Sequence, residues 1–215
     1  MAQNTYKSNT FKKPDKKKKD GKSGFSFFND PRLRLALGFF LLIASFYLVT
    51  AFISYLFTGK ADQSVVDAVG EAGLVDAGRE VGNWLGLYGA MTSHYFIFKW
   101  FGVSAFFIPP ILFLLGFKMV FKRELLPLFS VFVFSVFSGL WLCLLLGYIT
   151  NSVSGVHEIN FLSGGLGFEL AKISAGLLGW GTFLFLVLSL FVFIIYFFNV
   201  TAINAFQVKD PKPMG

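Results

Sequence analysis

The chain has 215 residues, of which 55% are hydrophobic and 30 are phenylalanine, and its formal net charge is +7. Soluble domains hold about 45–50% apolar residues, and long uncharged apolar runs mark membrane spans, so a soluble globular domain is excluded. Residues 1–34 carry the main concentration of Lys and Arg, so the basic balance describes one tail rather than a nucleic-acid-binding surface.

Residues 1–28 are rich in Lys, Ser, Asn and Gly and too poor in apolar side chains to support a core, which predicts a basic, disordered cytoplasmic tail. Its Lys16, Lys17, Lys18 and Lys19 fix topology by the positive-inside rule. They can also meet anionic lipid headgroups, at roughly 1 kcal/mol per nearby Lys. DNA contact by the tail has only its charge behind it. Asn29-Asp30-Pro31 reads as a helix start: Asn or Asp caps the free N–H groups, and Pro is tolerated in the first turn.

The first span is expected at about 33–57, with Arg32 and Arg34 reaching to the headgroups at its start. Residues 58–79 read as a net acidic loop facing away from the cytoplasm, with a short amphipathic helix around Val65, Val66 and Val69. Val81, Trp84, Leu85 and Tyr88 then share one helical face. Gly78, Gly82, Gly86 and Ala90 lie four apart, a stripe of bare backbone that lets helices approach closely. The stripe serves either packing against the chain's own spans or contact with another subunit.

A break near Lys99–Gly102 leads into the second span, at about 102–121. Pro109 and Pro110 are expected to kink it. Lys118, Lys122 and Arg123 mark a cytoplasmic turn so short that spans two and three must form an antiparallel hairpin. Span three covers about 126–149, and Ser135, Ser138 and Gly139 give it a small polar face. A second outer segment, 150–179, holds Gly167, Ala171, Ala175 and Gly179, again four apart. The fourth span, about 180–198, has no charge, and residues 201–215 read as the start of a cytoplasmic linker. Phe101-Gly102 and Leu178-Gly179 suggest one device used twice, with Trp100 and Trp180 at the membrane interface.

The expected fold is thus an all-α integral membrane protein with four transmembrane helices in two hairpins. Amphipathic Gly-rich helices lie on the outer (periplasmic) side before spans two and four. Residues 29–200 form one membrane domain. Catalysis is not expected. The chain has no G-x-x-x-x-G-K-[ST] loop, and His94 and His157 are its only histidines, with no carboxylate cluster to make a metal site. The lone Cys143 rules out a disulfide within the chain, and no cofactor is expected. The span interiors lack the ionisable residues that mark ion or proton paths. A small four-span transporter or channel subunit for a neutral solute stays as the alternative.

Several motifs carry a resemblance. They are G-x-x-x-G-x-x-G-A at Gly82, Gly86, Gly89 and Ala90, F-G-x-x-A-F-F-x-P from Phe101 to Pro109, and L-F-L-L-G-x-K from Leu112 to Lys118. Gly164, Gly165 and Gly167, and the Leu-Leu-Gly at 177–179, add to them. Over about residues 30–200 the chain resembles the N-terminal membrane domain of the FtsK/SpoIIIE family of bacterial DNA translocases. The resemblance implies a membrane anchor at the division septum of the inner membrane, with both termini cytoplasmic. It also implies a homo-oligomer (a hexamer) in contact with membrane lipids and other division-septum proteins. DNA would be met only through a C-terminal ATPase motor. That motor is not in this chain, which is expected to be a truncated piece.

Overall fold

A computed structural model of the chain describes residues 30–152 and 160–200. The lysines at 16–19, His157 and the linker expected at 201–215 lie outside the described residues. Everything described is helix or connection, with no strand among the described residues. Four helical runs are long and apolar enough to cross a membrane: Pro31–Gly70, Gly86–Phe121, Leu128–Ser152 and Phe161–Leu178. A shorter apolar helix, Gly181–Phe197, follows them.

Helix α1 (Pro31–Ala72) starts where the sequence places it. Asp30 is its N-cap, its carboxylate accepting the Arg32 N–H at 2.9 Å, with Pro31 in the first turn. It does not stop at the expected end of the span. Instead of a loop at 58–79, the helix runs on to Ala72, about 63 Å along its path at 1.5 Å per residue. Asp62 explains part of this. Its carboxylate is buried, accepting from the Thr58 hydroxyl (2.6 Å) and from the Gly82 N–H (2.7 Å), so a charge that should end a packed helix is instead satisfied inside it. Helix α2 (Leu74–Glu80) then turns back.

Helix α3 (Gly86–Ser93) passes without a break into a π-helix (His94–Phe101). Gly102 interrupts the path. A 3₁₀ segment (Gly102–Phe107) follows, then α4 (Ile108–Phe121). The expected junction near Lys99–Gly102 is therefore present. Pro109 and Pro110 do not kink the middle of a span. They stand in the first turn of α4, where a missing N–H costs little. The Pro109 carbonyl accepts the Ser45 hydroxyl at 2.8 Å.

Helices α1 and α4 are antiparallel and touch through glycine. A Cβ on Gly116 would sit 2.8 Å from the Gly38 carbonyl oxygen, and one on Gly38 would sit 2.8 Å from a Val120 methyl. Higher up, Phe46 meets Phe113 edge-on at 5.9 Å, and Phe52 meets Phe106 at 5.5 Å. Phe52, Leu48, Ala51 and Tyr55 of α1, with Ile97 and Ala105, make the buried core. Without a hydrophobic drive between helices in lipid, such close backbone approach supplies the dispersion contacts that hold them.

Lys122 ends α4 in the left-handed conformation, its N–H bonding the Lys118 carbonyl at 2.9 Å, and the Lys118 ammonium pairs with Glu124. Helix α5 (Leu128–Ser152) returns antiparallel, with Phe107 facing Phe134 and Ser104 facing Gly139, which gives the expected second hairpin turn. After residues 153–159, α6 (Asn160–Leu178) crosses α5 in the parallel sense. Gly167 meets Cys143, and both Gly167 and Ala171 meet Gly147. The start of α6 is therefore level with Cys143, about 13 Å back along α5 from Ser152. Residues 160–178 thus pack along α5 instead of extending beyond its end.

Helix α7 (Gly181–Phe197) runs antiparallel to α5. Trp141 Nε1 donates to the Leu186 carbonyl (3.0 Å), Phe137 stacks on Phe193 at 3.8 Å, and Phe134 faces Phe197 at 5.5 Å. The first turn of α1, the α4–α5 turn and the end of α7 consequently share one end of the bundle. Arg32, Arg34, Lys118, Lys122 and Arg123 all lie there.

Candidate functional site

The other end of the bundle is an assembled platform, not a set of loops. Residues 81–85 are strapped to α1 by polar bonds that replace helical ones. Besides Gly82 on Asp62, the Trp84 N–H donates to the Ser54 hydroxyl (2.9 Å) and the Asn83 amide to the Ala51 carbonyl (3.2 Å). Asn83 also organises its own turn: its side-chain oxygen accepts the Leu85 N–H at 3.1 Å and its carbonyl accepts the Gly86 N–H at 2.8 Å. Asn and Ser favour such local capture of backbone donors, which is why the chain leaves the helix here.

The four residues of the first stripe therefore do not share one helix. Gly78 is on α2 with open space around it, Gly82 is in the strap, Gly86 starts α3 facing open space, and Ala90 is fully buried. Spacing by four carries meaning only along continuous helix, and the strap breaks the phase. The second stripe holds together better. Gly167 and Ala171 pack on α5, Ala175 accepts the Gly179 N–H at 2.8 Å, and Gly179 ends α6 at φ 55°.

The break expected at Gly179 is present, at φ 55° between α6 and α7. In conformation, though, Gly102 (φ 61°, ψ −146°) is matched more closely by Gly164 (φ 64°, ψ 173°), a non-helical residue inside α6. Both occupy backbone conformations essentially reserved for glycine. The two are pressed together. A Cβ on Gly164 would overlap the Gly102 nitrogen and the Trp100 carbonyl oxygen and lie 2.8 Å from the Ile97 carbonyl oxygen. A Cβ on Gly102 would overlap the Leu162 carbonyl oxygen and lie 2.5 Å from the Ser163 carbonyl carbon. Backbone thus meets backbone with no side chain between, and this seam joins the two hairpins.

His94 opens the π-helix and is the least expected residue of the platform. It is 1% exposed, its ring stacks on Phe98 at 5.1 Å, and neither ring nitrogen has a hydrogen-bond partner among the described residues. Nε2 stands 3.6 Å from the Asp67 carboxylate on α1, and the Lys99 ammonium approaches the same oxygen at 4.0 Å. Two residues before His94, Thr92 shares a 3.4 Å hydrogen bond with Tyr47. A straight helix would hold Tyr47 and Asp67 about 30 Å apart. Helix α1 must therefore curve over the π-helix. The sequence marks His94 only as an isolated histidine; its partner, 27 residues away, becomes visible through that curvature.

Exposed aromatic residues ring this end: Trp84, Tyr88, Tyr95, Trp100 and Trp180. Trp and Tyr favour the membrane–water boundary, where an apolar ring and a polar tip are both served. Among the described residues no group of three or more His, Cys, Asp or Glu could hold a metal ion.

Compared with known proteins, residues 31–208 match the family model of the 4TM region of DNA translocase FtsK/SpoIIIE. No curated protein and no solved structure matches the chain.

Proposed function

The chain belongs to the family of the 4TM region of DNA translocase FtsK/SpoIIIE, and from that premise we propose that it is the septal anchor and assembly domain of such a translocase. It holds the protein in the bacterial inner membrane at the division septum with both termini in the cytoplasm. It brings copies together and offers its outer platform to other division-septum proteins. DNA is handled only by a C-terminal motor.

The observation that carries this reading is the charge asymmetry of the bundle. Arg32, Arg34, Lys118, Lys122 and Arg123 gather at the end where α1 begins and α7 finishes, as the positive-inside rule requires of a cytoplasmic face. Helix α7 serves as the fourth span. Its 17 residues meet the lower bound for crossing a bilayer, it has no charge, and the exposed Trp180 and Tyr196 bracket it. Helix α6 exposes Glu169 and Lys172, each of which opposes lipid burial by about 2.5–3.5 kcal/mol at mid-bilayer, so α6 belongs to the outer half.

Reporter fusions within 60–79 and 153–159 are expected outside, and fusions after Phe198 inside. A cytoplasmic signal from either outer segment overturns the topology. Septal localisation of a fluorescent fusion of this chain tests targeting, and diffuse membrane fluorescence overturns it. The transporter alternative gains nothing from Asp62, a deeply buried charge that is bonded by Thr58 and Gly82 and so is not presented to a path. Solute flux in reconstituted liposomes would revive it.

A further inference from the structure

We propose that His94 and Asp67 form a proton-operated latch that closes the distal part of α1 over the π-helix when the outer compartment is acidified. The inference rests on the topology proposed above, which puts both residues outside the cytoplasm. Three observations meet here. The first is a buried imidazole with neither nitrogen bonded, which is rare enough in a native protein to need a reason. The second is the placement of that imidazole at the first residue of a π-helix, a distortion frequent at functional positions. The third is the 3.6 Å gap to Asp67, slightly too long for a hydrogen bond and short enough to become one with a small movement.

Packing does not account for the histidine. A phenylalanine would stack on Phe98 equally well and would bury no polar nitrogen. What histidine adds is a charge that appears on acidification; burial pushes this imidazole below its ordinary value, with Asp67 opposing the shift and Lys99 adding to it, so the charge appears on the acidic side of the usual histidine range. The charged groups that face it are Asp67 from α1 and Lys99 from its own helix. Helix α3 carries no charge, and from α6 Glu169 lines the same cleft as Lys99. Protonated, Nε2–H donates to Asp67 Oδ1. The imidazolium takes over the oxygen that Lys99 now approaches, and Lys99, half exposed, turns to solvent or to Glu169. Asp67 is itself half exposed and free to move inward. The partner carboxylate sits near the far end of α1, so a shift of a fraction of an ångström there tightens the whole curved segment over the platform. The neutral form leaves it loose.

The test uses the full chain in phosphatidylethanolamine–phosphatidylglycerol nanodiscs, in a Cys143→Ser background, with spin labels at Ala68→Cys on α1 and Tyr88→Cys on α3. The distance distribution between the labels is expected to narrow and shorten from pH 8 to pH 4, with a single midpoint below the ordinary histidine value because burial disfavours the imidazolium. His94→Phe keeps the ring stack and should fold. With it, and separately with Asp67→Asn, the pH response should vanish. A response that persists in His94→Phe belongs to another group and overturns the proposal, as does a distribution that widens on acidification or does not change. Reporter fusions that place 60–79 inside the cell would defeat the topology. The pH response of the labels in nanodiscs, where both faces meet the buffer, would stand or fall independently.

Discussion

Replacing Gly102 with alanine tests the seam between the hairpins, because two separable costs fall on one methyl group. The first is conformational: at φ 61° and ψ −146° an L-residue is strained by about 1–3 kcal/mol. The second is steric: the new Cβ overlaps the Leu162 carbonyl oxygen, and pushing apart packed backbone costs about 1–3 kcal/mol more. The total is roughly 2–6 kcal/mol, which for a chain of this size lowers Tm by roughly 4–24 °C. Gly86→Ala is the matched control. It has a similar φ of 65° but nothing within 4 Å of the added Cβ, so it bears only the strain. Thermal unfolding in detergent micelles, followed by tryptophan fluorescence, reads both. A Gly102→Ala protein no less stable than Gly86→Ala would refute backbone contact at the seam. Gly164→Ala should be comparably damaging, and the double variant should lose less than the sum, because both methyls open the same contact. Strict additivity would mean that the two glycines do not share it.

Asp62→Ala strands the Gly82 N–H and leaves the Thr58 hydroxyl only the Ser54 carbonyl, and should cost about 1–3 kcal/mol, with faster amide exchange across 82–86. Gly116→Leu should drive α4 off α1 and lower Tm, whereas Gly139→Leu, whose Cβ meets nothing closer than 3.6 Å, should be tolerated; equal losses would contradict the helix pairing. Cys143 is fully buried, so a maleimide should label it only after unfolding, and Gly167→Ala, which presses on its sulfur, should speed that labelling. A Cβ on Gly78 meets nothing within 4 Å among the described residues, so Gly78→Leu should leave Tm unchanged; a loss of oligomer or of septal localisation at constant Tm would identify α2 as a contact with a partner.

Much of the membrane fold is legible from local signals. Asp30-Pro31 announces the start of α1, and Lys118, Lys122 and Arg123 announce the turn between α4 and α5, because capping and charge act over a few residues. The break at Gly102 is legible for the same reason. The features that were not foreseen depend on distant partners. Nothing near Asp62 tells that the Gly82 N–H, 20 residues on, will donate to its carboxylate and let α1 continue through an acidic stretch. Gly38 and Gly116 look like ordinary glycines in apolar runs until the helices are paired. The spacing of the first small-residue stripe makes no common face, because Asn83 interrupts the helix along which it would count. Gly164 was noted as one of a glycine cluster, but its conformation follows from docking on Gly102 and is not written in its neighbours.

The seam also has a mechanical meaning. Side-chain contacts yield under load by changing rotamer, which gives a packed interface some slack. Where Gly102 and Gly164 meet, backbone bears on backbone and no rotamer is available to yield. A pull on α6 is passed directly to the π-helix and on to α4, and through the Gly38–Gly116 contact to α1. Tension applied at either hairpin is therefore carried by both, so the domain holds its place in the membrane as one body until the seam parts.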